Sequence, residues 1–242
     1  MTADRTAAKH RRLLVLAGAA GMAFAASACS SSGSSGGSAA ADGDRLSYDR
    51  VTSTAKQLTA TSACPFGLDL AAALKAAGAE RTVTPAASGG DPAAKGTLDP
   101  GKPAQAWPSG QPKPSGVASV PAVPPNTFVV CTFTASDAPV EIDLVATGAD
   151  GVAVNLALPR IASLGNLGAD EVIAFSKDAP GIGQTRVTPG RGSAAVARVA
   201  VAGKGDLALV VSQGSTVAKA DPALAGESLK KITEALATQL RP

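Results

Sequence analysis

Apolar residues first recur at helical spacing in the stretch that follows a Ser/Gly-rich N-terminal region. Tyr48, Val51, Ala55 and Leu58 predict one helix. After a turn at Cys64-Pro65, Leu70, Leu74 and Ala77 predict a second, with Gly78 placed to end it as a left-handed residue. The period is then lost. From 84 to 126 the chain is punctuated by prolines from Pro85 to Pro125, with Gly and Ser between them and Trp107 inside. Such a stretch buries too little to offset the entropy of ordering it, and predicts a long surface loop or disordered insertion.

Beyond it the period becomes two. The segment 128–134 is rich in β-branched and aromatic residues; Ser136, Asp137 and Pro139 supply turn chemistry; Val140, Ile142 and Leu144 then alternate with Glu141 and Asp143. This predicts a hairpin with one buried and one wet face. A second hairpin is predicted from 194–202 and 207–212 around Gly203-Lys204-Gly205-Asp206. Between the two, Val152, Val154, Leu156 and Leu158 alternate like a strand, while Ile161 and Leu164 continue like a helix interrupted by Pro159. That element and the stretch 170–177, with Val172 to Phe175 at its centre, stay open between helix and strand. A closing helix is predicted from Leu229, Ile232, Leu236 and Leu240, with Asp221-Pro222 as its cap and first turn and Glu227 paired to Lys231. The expected fold is α+β: a curved antiparallel sheet packed with helices from both ends of one domain, 45–242.

The N-terminus reads differently. Arg5, Lys9, Arg11 and Arg12 precede an apolar stretch at 13–26, then Ser27, Ala28 and Cys29. The stretch suits the roughly 7–15 residues of a secretory signal core and falls short of the roughly 20 that span a bilayer. Residues 1–28 are therefore expected to be a signal peptide. Arg11-Arg12 before Leu13 also faintly resembles a twin-arginine signal. Ala26-Ser27-Ala28-Cys29 resembles a bacterial lipobox, with Ala26 where that pattern prefers Leu. This implies a diacylglyceryl group on Cys29, and two acyl chains suffice for stable anchoring. The remainder of 29–44 is nearly all Ser, Gly and Ala up to Ala41, a flexible tether.

Composition narrows the function. The chain holds 22 Lys+Arg against 19 Asp+Glu. Four of those bases and Asp4 precede Cys29, so the rest carries 18 of each sign and lacks the basic footprint of a nucleic-acid binder. The one histidine, His10, lies in the signal. The mature chain thus has none for Ser-His-Asp or Cys-His catalysis, and none for the usual zinc, copper or iron sites. No metal or cofactor is expected. With Cys29 lipidated, Cys64 and Cys131 are left as a pair, which outside the cytoplasm is most simply a disulfide and not a redox dithiol of CxxC spacing. It would staple the base of the Pro-rich excursion. Aromatic residues, 3% of the chain, are too few for a sugar or single-strand platform.

Few residues invite chemistry. Glu141 and Asp143 share one strand face and could do glycosidic acid/base work, but the alternation reads as a solvated face. Gly181-Ile182-Gly183 and Gly190-Arg191-Gly192 lack the strand-to-helix context of a phosphate loop and read as turns. Asp42-Gly43-Asp44 lacks the later ligands of a calcium loop. Trp107 could dock a partner through polyproline geometry, or simply fold back on the domain.

The whole arrangement resembles small, largely uncharacterised actinobacterial cell-surface lipoproteins. The likeness lies in a lipobox, a Ser/Gly tether, a Cys before the helix 68–77, a second Cys in the strand 128–134, a late hairpin and a closing amphipathic helix. The resemblance carries no catalytic residues. It implies an extracytoplasmic domain on the cell membrane that binds something: a non-enzymatic adaptor for a protein partner, or alternatively a sensor or carrier of a small apolar ligand. A hydrolase working by carboxylates alone ranks third.

Overall fold

The computed structural model describes residues 46–59, 62–86, 93–113, 115–214 and 221–240. The expected signal peptide, Cys29, the expected tether and Asp42 to Asp44 lie outside the described residues. Helix α1 (Tyr48–Gln57) starts where Ser47 accepts the Arg50 amide at 3.2 Å, and it buries Val51 and Ala55. Helix α2 (Leu70–Ala76) is capped by Asp69, which accepts from Ala72 at 2.9 Å. Gly78 (φ +76°) closes it: its amide bonds the Lys75 carbonyl at 3.0 Å, and the Ala79 amide bonds that of Leu74 at 2.9 Å. Gly78 thus takes the left-handed role its position predicts.

The segment 84–126 corrects the expectation of a disordered insertion. Strands β1 (Val83–Pro85) and β2 (Ala94–Asp99) both run antiparallel to β5 (Asn126–Ala135), one after the other along the same edge. Thr132 bridges the gap between them, donating to the Ala93 carbonyl at 2.8 Å and accepting from the Ala86 amide at 2.9 Å. The stretch after β2 leaves the main sheet, where β3 (Gln105–Ala106) pairs with β4 (Ser119–Val120) and Lys102 bridges Val123. An edge strand needs no apolar period, because its order comes from the ladder on one side and from whatever covers one face. The prolines bound the strands and do not break them: Pro85 ends β1 and Pro100 follows β2.

The cover on β2 is α1, and Gly96 makes the approach possible. A Cβ at Gly96 would stand 2.7 Å from the Cα of Ala55 and 2.8 Å from its carbonyl carbon. Backbone cannot rotate aside as a side chain can. Gly96→Ala is therefore expected to cost about 1–3 kcal/mol by forcing α1 off the sheet. A urea midpoint equal to wild type would contradict this contact.

Strand β5 continues through the two-residue turn Ser136-Asp137 into β6 (Ala138–Thr147), with Ala135 opposite Ala138 and Ser136 at φ +56°. Helices α3 (Ala153–Gly165) and α4 (Ala169–Lys177) follow, so both open stretches are helical. The alternation in α3 is incidental. Its buried residues Ala153, Val154, Ala157, Ile161 and Leu164 fall on one helical face. Strands β7 (Thr185–Val187), β8 (Ala194–Val199) and β9 (Asp206–Ser212) complete a seven-stranded sheet, with β1 and β2 on one edge, then β5, β6, β9, β8 and β7. Every pairing of named strands is antiparallel. Gly183 (φ +76°) and Gly190 (φ +70°) sit in turns, as their context predicts, and Gly192 (φ +59°) lies in the loop that leads into β8.

Asp221 caps a short 3₁₀ turn (Pro222–Leu224), not the closing helix, which is α5 (Gly226–Gln239). Within α5, Glu227 meets Lys230 at 3.9 Å, where the sequence suggested Lys231. The α+β class stands. One layer was not foreseen. Helices α1, α2 and α5, from the two ends of the chain, cover one face of the sheet, and α3 with α4 cover the other. All of β9 is buried in consequence.

Candidate functional site

The second helical layer changes the meaning of Glu141 and Asp143. Both point to the face that α3 covers, the face that also carries Val145 of β6 and Ala208 and Val210 of β9. The sequence suggested a wet surface there, and the structure corrects it. Asp143 is 1% exposed, in the centre of the sheet, opposite Val130 on one side and Val210 on the other. Arg160 of α3 reaches over both carboxylates: its Nε donates to Asp143 Oδ2 at 3.0 Å, and its Nη2 donates to Glu141 Oε1. Asp143 Oδ1 is buried without a hydrogen-bond partner.

The electrostatics follow from that geometry. Two carboxylates share one guanidinium, with Asp143 buried, Glu141 partly covered and Arg160 reaching the solvent edge. Burial pushes the Asp143 carboxyl from 3.8 up to about 7; Glu141 adds to the rise, and Arg160 opposes it without cancelling it. Burial also pulls on Arg160, but the two carboxylates outweigh it and hold the guanidinium above its ordinary value. The folded state therefore binds a proton that the unfolded chain releases. The sign is the reverse of the usual salt-bridged aspartate. Stability from this group is fully present below pH 3.8 and is lost as pH rises through about 7. Over that window the unfolding free energy should fall by up to about 1.4 kcal/mol per pH unit. Urea melts of wild type and Asp143→Asn between about pH 4.5 and pH 8 check this. Superimposable pH dependence in the two proteins would refute it.

A second pin lies at the other end of α3. Asp206, the first residue of β9, accepts from the Ala153 amide through Oδ2 at 2.8 Å and from Arg198 Nε through Oδ1 at 2.7 Å. Val152 offers no side-chain cap, so Asp206 satisfies the open N-terminus of α3 from across the fold.

Among the described residues, two surface hollows offer room for a ligand. One of about 310 Å³ sits at the tip of the β5–β6 hairpin, lined by Arg81, Ser136, Asp137, Ala138, Pro139, Gln213 and Asp221. Arg81 pairs with Asp221 at 2.6 Å inside it. The other, of about 270 Å³, includes Asp178, Gln184, Thr185 and Arg186. Both have charged side chains in their lining, beside apolar surface from Ala138 and Pro139 in the first and Ala179 and Pro180 in the second.

Of the residues singled out from the sequence, Cys64 and Cys131 are bonded, with Cα atoms 5.6 Å apart, joining the loop before α2 to the middle of β5. Trp107 follows β3 outside the main sheet, with its indole N–H buried and unpartnered. The residue that sequence reading missed is Arg160. Its signal was present: it is the one charge in the thirteen residues of α3. Among the described residues no group of three or more His, Cys, Asp or Glu could hold a metal ion, and no helix is long and apolar enough to cross a membrane. No protein-family model, curated protein or solved structure matches the chain.

Proposed function

We propose that the protein is a non-enzymatic binding module, held by a lipid on Cys29 at the extracytoplasmic face of the cell membrane. The observation that carries the reading is the Cys64–Cys131 bond. It occupies two of the three cysteines and belongs to oxidising compartments. The third stands at the end of Ala26-Ser27-Ala28, where acylation would occur. The charged side chains in both hollows favour a polar partner over the alternative of a small apolar ligand. Arg160 across Glu141 and Asp143 favours a structural role for the two carboxylates over hydrolysis.

Metabolic labelling with a fatty acid in the source cells tests the anchor. Wild type should take the label and sediment with membranes, while Cys29→Ala should do neither. An unlabelled protein in the cytosol with all thiols titratable would end the proposal. Native mass spectrometry of the released protein tests the binding class, since a retained small apolar mass would favour the carrier.

A further inference from the structure

We propose that Glu141, Asp143 and Arg160 form a proton-operated latch that fastens the later turns of α3 to the sheet, independently of how the protein is anchored. The geometry supplies each part. With one proton on the carboxylate pair, the cluster is a neutral assembly of one carboxylate, one carboxyl and one guanidinium, suited to a site whose inner end, Asp143, is buried beneath α3. With none, it holds a net negative charge there, and Asp143 Oδ1 has no donor to meet it. The helix is weakest beside the latch. Pro159, one residue before Arg160, has no amide to offer the Asn155 carbonyl, so the main-chain ladder lacks a rung where the ion pairs attach. At the far end α3 is held separately by Asp206, so the two ends can respond differently.

No other charge competes on the elements around the cluster. Arg160 is the one charged residue of α3, Glu141 and Asp143 are those of β6, and β5 has none. The charges of β8 and β9, Arg198 and Asp206, are paired with each other. Asp170, Glu171 and Lys177 belong to α4, which packs on α3. Asp49, Arg50 and Lys56 belong to α1, which packs on the opposite face of the sheet.

Amide hydrogen exchange on the full chain in detergent, corrected for the intrinsic pH dependence of exchange, reads the latch directly. Protection of the amides at 160–165 should fall by about tenfold between about pH 5.5 and pH 8.5, while protection in α5 changes far less. Asp143→Asn should abolish the difference. Glu141→Gln removes the like charge but keeps Arg160, so it should move the midpoint to lower pH; it carries the test if the Asp143→Asn variant does not fold. Equal protection of 160–165 at both pH values in wild type, or a midpoint unmoved by Glu141→Gln, would overturn the proposal.

Discussion

Replacing both Cys64 and Cys131 by alanine should lower the unfolding free energy by about 4 kcal/mol. The bond joins residues 67 apart, and in the chain-entropy model a loop of that size removes about this much from the freedom of the unfolded chain. The enclosed stretch is also the part least able to hold itself. It contains α2, the edge strands β1 and β2, and the small β3–β4 pair, whose residues are mostly exposed. Cys131 is 1% exposed at the centre of β5, opposite Ala94 and Ile142, so its loss also leaves unfilled space in the core on that face of the sheet. Urea unfolding of wild type with and without reductant, beside the double variant, measures the effect. A shift under about 1 kcal/mol would mean that the unfolded chain is already held compact without the bond.

Phe175→Ala should cost about 3–5 kcal/mol, the range for a buried ring cut to a methyl. Phe175 is the one buried residue of α4, at 2% exposure, while Ile173 of the same helix is 52% exposed. The ring enters the cluster formed by Ile161, Leu164, Val196 and Val210, and the Arg186 guanidinium lies 6.0 Å from its centroid. One side chain thus docks a nine-residue helix that is too short to persist alone. Exchange protection in α4 should vanish in the variant before that in α5 declines. Equal loss in the two helices would show that α4 has no separate stability, and a cost under about 1 kcal/mol would show that the cluster closes around the gap.

The two hairpins and the helices at the chain ends were legible because each obeys one local rule. Strand β5 alternates buried and half-buried residues along its length, and Gly78 closes α2. What was hidden was hidden by a second neighbour. Glu141 and Asp143 alternate with apolar residues as an amphipathic strand does, yet Asp143 is buried and Glu141 partly covered, because an arginine elsewhere in the sequence supplies what water would have supplied. Nothing within β6 reports that partner. The lone charge in α3 and the unbroken apolar run of β9 report it jointly, since a strand buried on both faces loses its alternation. Strand β2 was hidden for the opposite reason. Its order comes from hydrogen bonds to β5 and from the absence of a side chain at Gly96, and neither leaves a hydrophobic pattern.

The broken border of the sheet has a consequence for how the chain tolerates change. The backbone departs at Ala86 and returns at Ala93, and both ends are tied to the same residue, Thr132. Material added between them leaves the pairing on either side in step, because each register is set by its own bonds to β5. Each doubling of the length of an inserted loop adds only about 0.6 kcal/mol of closure entropy. The interruption is therefore a natural port where a tag, an epitope or a whole small domain can be spliced in while the surrounding strands keep their partners.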